Sequence, residues 1–224
     1  MIYLHAAYHQ QFTPASLPVA VRAALGKPLR RAAALTQLAL LGALAGIPEA
    51  RRQQASALLW QSTSGPRLET LTLLDELAQP TPEPMPYDFL ATQPAIAAVQ
   101  IQPFLPGLRS ATHCPLDSEG RAHWSLLLNL AAHWLHEGRY DQVLCAHLDS
   151  WADKAEGHWL LVGNAPLENS LARLHVKLEA GPNSLPDTPD FPVHLADWLQ
   201  NPAGATLQLQ SPALPSLAVE FARI

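Results

Sequence analysis

The residues best suited to chemistry gather between His113 and His136. Cys114 stands outside any apolar run, with His113, His123 and His133 around it in sequence. A thiol becomes an acyl-transfer nucleophile when a base or a helix N-terminus lowers its pKa. Cys114 with His113 or His123 as base is therefore a candidate pair for a small acyl transferase or thioesterase. Pro115 and a further polar turn separate that thiol from the next helix, whereas Cys145 sits inside an apolar strand and reads as core. His133 and His136 are spaced to share a helix face. No His-Glu-x-x-His or Cys-x-x-Cys accompanies them, so no metal and no cofactor is expected. The turn Asp117-Ser118-Glu119-Gly120-Arg121 offers Asp117 or Ser118 as a helix cap and Gly120 for tight backbone geometry. Ser118 lacks a Gly-x-Ser-x-Gly context, and Ser62–Gly65 holds one glycine and no lysine. Neither a hydrolase elbow nor a phosphate loop is supported.

The elements that must position these residues are legible in the apolar spacing. Leu108–Thr112 reads as a strand, His113–Arg121 as a polar turn and Ala122–Glu137 as a helix. Trp124, Leu127, Leu128, Ala131 and Leu135 recur at helical spacing, and Gly138 stands where a left-handed cap belongs. Gln142–Leu148 follows as a second strand. Upstream, Ile2–Tyr8 is an opening strand, and Pro14, Pro18 and Pro28 mark a loop or an interrupted helix. Ala32–Ile47 is apolar on nearly all sides, as a helix buried between layers is. Ala55–Gln61 reads as a buried strand. Leu68–Ala78 is a helix with Leu71, Leu74 and Leu77 on one stripe and acidic residues opposite. Residues 80–86 form a proline-dense connector, and Ala95–Gln102 is a further Ala-rich helix. After Trp151, strands are expected at Trp159–Val162 and Ala172–Leu178. A loop over Asn183–Pro192 and a short helix at His194–Gln200 follow. Leu207–Leu209 and Leu217–Phe221 are strand or tail candidates, and residues 179–224 as a whole read as an irregular C-terminal extension.

The unit from Gly107 to Trp151 resembles the nucleophile elbow of the β-ketoacyl synthase family, which has the thiolase-like fold. In that family a Thr-Ala-Cys turn opens a buried helix, which ends in Gly-x-x-Asp before a core strand. Gly138-Arg139-Tyr140-Asp141 followed by Gln142-Val143-Leu144-Cys145 matches that ending. The resemblance extends to Ser62-Thr63-Ser64-Gly65, where the family has a Thr-x-x-Gly turn, and to Pro86-Tyr87-Asp88-Phe89, which is similar to its Pro-x-x-Phe segment. It is clearest over residues 1–162.

That resemblance implies a single α/β domain over residues 1–224, a thiolase-like half-fold whose mixed sheet is packed by buried Ala-rich helices. It puts the nucleophile position at Glu119, Gly120 and Arg121, where there is no cysteine. A complete family member has two such halves, the second supplying catalytic histidines, and this chain is too short to hold both. The pattern implies a non-condensing, chain-length-factor-type pseudoenzyme partnering an active ketosynthase in a fatty-acid, polyketide or aryl-polyene pathway. The family's counterpart of Leu108–Thr112 pairs across a subunit two-fold, which implies a heterodimer with the ketosynthase or a homodimer. Acyl carrier proteins are acidic, so Arg51 and Arg52 are candidate docking residues, and a stand-alone carrier-binding adaptor is a third reading. Ala95, Ala97, Ala98 and Ala131 are expected to line an acyl tunnel.

Composition bounds these readings. The chain has 224 residues, 48% of them hydrophobic and 15% charged, enough for one sizeable core. A net charge of −5 argues against a nucleic-acid partner. Two cysteines are too few for a disulfide framework. The N-terminus lacks the pattern of a signal peptide, and the longest apolar run is short for a membrane span. A soluble, cytoplasmic protein is expected.

Overall fold

The computed structural model describes residues 1–79, 85–116, 121–178, 184–201, 204–212, 214 and 216–224. Its strands are β1 (Ile2–Phe12), β2 (Ser56–Ser62), β3 (Leu108–Pro115), β4 (Gln142–Ser150), β5 (Ala155–Gly163), β6 (Ala172–Lys177), β7 (Leu185–Pro186), β8 (Thr206–Gln210) and β9 (Ala218–Arg223). They form one mixed sheet in the order β3-β2-β4-β5-β1-β6-β9-β8-β7. β2 runs parallel to both β3 and β4, and β4, β5 and β1 are antiparallel neighbours. β3 is the terminal strand of the sheet among the described residues.

Helices cover both faces. α1 (Ser16–Leu25), α2 (Ala34–Gly46) and α5 (Ile96–Ile101) pack on one side, where Leu38, Leu40, Ala97 and Ile101 meet Leu58, Trp60, Leu144 and Trp159. α6 (Trp124–His136) and α7 (Phe191–Gln200) pack on the other, where Leu128, Ala131 and Leu195 meet Leu59, Val143, Cys145 and Leu160. The alternation of side chains along β2 and β4 divides the two cores, each strand being buried on both faces. α2 lies so close to the sheet that a Cβ on Gly42 would stand 2.1 Å from the Trp159 ring. The Ala- and Leu-rich composition of α2 therefore serves close approach to an aromatic strand face.

Several expectations are revised. Ser16–Leu25 forms a full helix despite Pro18, which falls in the first turn, where the N–H has no intrahelical partner. β3 continues to Pro115, so His113 and Cys114 belong to a strand and not to a turn. Residues 179–224, read as an irregular extension with a short helix and two strand or tail candidates, carry α7, β8 and β9 at those places, add β7, and extend the sheet beyond β1 and β6. Ala97 and Ala131 are buried in different cores on opposite faces of the sheet, so no common tunnel wall joins them. Between β2 and β3 the chain adds α3 (Arg67–Leu77) and α4 (Pro86–Ala91), neither of which buries a residue fully. The stripe Leu71, Leu74 and Leu77, read as a packed face, is half-exposed. No described helix is long and apolar enough to cross a membrane.

Candidate active-site region

The parallel pair β2 and β4 ends side by side, and both carboxyl ends are polar. Asp149, near the end of β4, turns its carboxylate toward the turn that follows β2. Its Oδ1 accepts from Ser62 Oγ at 3.0 Å, Thr63 N at 2.8 Å and Ser64 N at 2.7 Å. Its Oδ2 lies 2.9 Å from His147 Nε2. Ser64 Oγ accepts in turn from Ser150 N. Burial pushes the Asp149 carboxyl up, but the His147 bond and charge and the Ser64 and Ser62 donors outweigh it and hold the pKa below the usual carboxylate value. The Ser-Thr-Ser-Gly turn is thus clamped by a charged acceptor from the neighbouring strand.

One row of polar side chains crosses this end of the sheet. Strand register aligns Cys114 on β3 with Gln61 on β2, His147 on β4, His158 on β5 and His9 on β1. Gln61 is fully buried, and its Oε1 accepts from His123 N just ahead of α6. The His158 ring meets His147 edge-on and stacks with His9. Burial, reinforced by His147, lowers the His158 pKa to about 4.

The start of α6 is closed by a distant residue. Asp187 Oδ1 accepts from Trp124 N at 2.8 Å, and Oδ2 accepts from Ser125 N at 2.9 Å and Ser125 Oγ at 2.7 Å. The first turn of a helix leaves backbone donors free, which makes it an anion site. Here that site is filled by the protein's own carboxylate, itself 5% exposed. Burial raises the Asp187 pKa, against the opposing pull of the Ser125 and Trp124 donors. The caps expected from sequence, Asp117 and Ser118, lie outside the described residues, as do Glu119 and Gly120. Arg121 is described and exposed, and it borders a groove with Asp187.

The structure separates the proposed Cys/His pair. His113 and Cys114 are consecutive strand residues and point to opposite faces. His113 packs on the Trp60 ring at 4.3 Å between centroids, and burial lowers its pKa. Burial raises the pKa of the Cys114 thiol, the reverse of activation. Among the described residues no hydrogen bond joins Cys114 to His113 or His123. His133 pairs instead with Glu137, and no group of three or more His, Cys, Asp or Glu among the described residues is placed to hold a metal.

The docking arginines are also engaged within the chain. Arg52 donates to the carbonyls of Ile47 and Leu44 at the end of α2, and half-buried Arg51 donates to Gln54. Asp187 and the His147–Asp149 pair were not singled out from sequence. Asp187 acts across more than sixty residues on a helix that it does not adjoin, and local patterns hold no sign of that. Asp149 was visible only as a polar strand end.

These features describe an α/β fold with one mixed sheet and no cysteine at the start of α6. The comparison of structures agrees. A ketosynthase in complex with its chain length factor from Xenorhabdus doucetiae matches over 99% of this chain and 99% of its own, with 15% identity and a TM-score of 0.58. The ishigamide ketosynthase/chain length factor matches over 91% and 84%, with 13% identity and a TM-score of 0.62. A type II polyketide synthase acyl-carrier protein in complex with its ketosynthase matches over 100% and 99%, with 9% identity and a TM-score of 0.62. No family model and no curated protein matches the sequence. The fold of this chain is that of the thiolase-like ketosynthases.

Proposed function

We propose that the chain is a non-condensing, chain-length-factor-type subunit that partners an active β-ketoacyl synthase in fatty-acid, polyketide or aryl-polyene biosynthesis. The observation that carries this reading is the Asp187 carboxylate on the first turn of α6. A condensing nucleophile at that helix start would need its amide dipoles, and a fixed carboxylate there opposes thiolate formation. The sequence places no cysteine at Glu119, Gly120 or Arg121.

The partner surface is supported by exposed apolar residues and by the outer edge of β3, which pairs only with β2 among the described residues. Leu71 and Leu74 of α3 and Phe89 and Leu90 of α4 face outward, and α5, with exposed Val99, packs against β3. Among the described residues β3 has no strand on its outer edge, a feature that proteins cover. A ketosynthase carrying the equivalent edge would bury both. A second copy of this chain is the alternative occupant, as in a homodimer. The ketosynthase/chain length factor pairs among similar folds favour the mixed pair.

The test is co-expression with the ketosynthase encoded in the same host, followed by measurement of complex mass and condensing activity. A one-to-one complex whose activity depends on the ketosynthase cysteine, and survives Cys114→Ala here, supports the role. Activity abolished by Cys114→Ala favours the Cys114 acyl-transfer reading. The carrier-binding adaptor retains Arg51 and Arg52 as its candidates, and Arg52→Ala with unchanged carrier binding removes it.

A further inference from the structure

The cavity beside the carboxyl ends of α1 and α2 joins apolar walls to cations that no carboxylate among the described residues neutralises. It holds about 520 Å³, within the range of small-molecule sites. Leu25 of α1, Leu41 and Leu44 of α2 and Phe104 give it apolar walls, and Gln10 and Arg52 are its polar side chains. No Asp or Glu among the described residues lines it. Half-buried Arg52 donates from Nε to the Ile47 carbonyl and from Nη2 to the Leu44 carbonyl. Those bonds use one edge of the guanidinium and cover the end of α2, whose carbonyls would otherwise repel an anion. The other edge, which Nη1 shares with the second Nη2 hydrogen, has no partner among the described residues. Its Nη1 keeps solvent access, unlike the buried and unpaired Nη1 of Arg51. Exposed Lys27 stands 5.3 Å from the centroid of the Phe104 ring and has no ion pair among the described residues. Before Glu49 the chain carries Arg22, Lys27, Arg30 and Arg31 and no carboxylate side chain. In a chain of net charge −5 this is a local excess of positive charge.

We propose that this cavity binds a small amphipathic carboxylate, whose apolar chain lies on Leu25, Leu41, Leu44 and Phe104 and whose head group accepts from the free edge of Arg52. That edge presents two N–H groups side by side, the arrangement that a carboxylate takes up with both oxygens. Lys27, above Phe104, adds attraction at longer range. An uncharged apolar molecule leaves the Arg52 edge unused, and a cation meets like charge with no acid to offset it. An anion without an apolar chain leaves the leucine walls in water. The site does not depend on the partner role proposed above, since its lining includes none of the exposed apolar residues of α3 and α4.

The test uses the full chain with ¹³C-methyl leucine and probes that differ only in head group or chain. Octanoate carries the carboxylate, 1-octanol has no charge, octylammonium reverses it, and acetate lacks the chain. Octanoate should move the Leu41 and Leu44 methyl signals and bind about tenfold or more tighter than each of the other three, because a site built around a charged hydrogen bond rejects analogues that lack it. Arg52→Gln should erase the preference for octanoate over 1-octanol. Lys27→Gln, at an exposed position, should weaken octanoate about threefold at low salt and keeps the test available if Arg52→Gln fails to fold. Ala24→Trp, at an exposed position of the lining, should block octanoate and 1-octanol alike. Equal binding of octanoate and 1-octanol, tighter binding of octylammonium, or acetate binding as tightly as octanoate overturns the proposal. So does octanoate that leaves the Leu41 and Leu44 signals unmoved at millimolar concentration, or an affinity unchanged by Ala24→Trp.

Discussion

At the scale of single residues, Asp187 does more for the fold than its place in a Pro-rich loop suggests. It satisfies two backbone N–H groups and a hydroxyl at the buried start of α6. Removing it leaves those donors unpaired, which costs about 2–4 kcal/mol. Asp187→Ala should lower the urea midpoint accordingly, and Asp187→Asn should recover part of the loss. Cys114 carries an opposite expectation. Its thiol is half-buried and its pKa raised by burial, so it should react with iodoacetamide at neutral pH at least tenfold more slowly than free cysteine. A rate equal to or above that of free cysteine would return Cys114 to the list of nucleophiles. The absence of a thiol at Glu119–Arg121 was legible in the sequence. The Asp187 cap was not, because it depends on tertiary approach between α6 and the segment before α7.

At the scale of elements, α6 formed as its apolar spacing requires, and Gly138 follows it at φ 66° in the left-handed conformation. The strands β2 and β4 were equally plain, since each is an apolar run between polar turns. α3 shows where periodicity stops informing. Leu71, Leu74 and Leu77 have the spacing of a buried face, yet Leu74 is 54% exposed in the isolated chain. A stripe states that something covers it, not whether the cover belongs to the same chain. Leu74→Asp should therefore change the stability of the isolated chain by no more than about 0.5 kcal/mol. The same substitution should weaken association with a ketosynthase at least tenfold, read by titration of one subunit into the other. A large loss of stability with intact association would place the covering contacts within the chain.

For the whole molecule, buried histidines tie stability to pH. Burial lowers the pKa of His5 and of His158 to about 4, with Arg51 and His147 respectively adding to the effect. Unfolded, both titrate near 6.5, so the unfolded chain binds more protons between those values. Their contribution is complete above about pH 6.5 and is lost as pH falls through that window towards 4. Asp187, whose pKa is raised, contributes with the opposite sign at the acid end. Urea midpoints measured across the window should fall with acid, and His158→Gln should flatten the slope by up to one proton. The parallel and mixed core of the sheet was readable because its strands are apolar on both faces. The C-terminal strands were readable only in part: Leu207–Leu209 and Leu217–Phe221 marked β8 and β9 as strand or tail segments, whereas β7 spans two residues, too little pattern to mark a strand.

The central claim is that this chain completes a ketosynthase and does not condense acyl groups itself. The most direct measurement is the mass and composition of the complex that a tagged copy forms in its own host, with each component identified by mass spectrometry. The account predicts a one-to-one complex with a full-length ketosynthase that keeps its cysteine, dissociated by substitution along β3 or at Leu74. Recovery of the chain alone, or only with copies of itself, at cellular concentrations would contradict it.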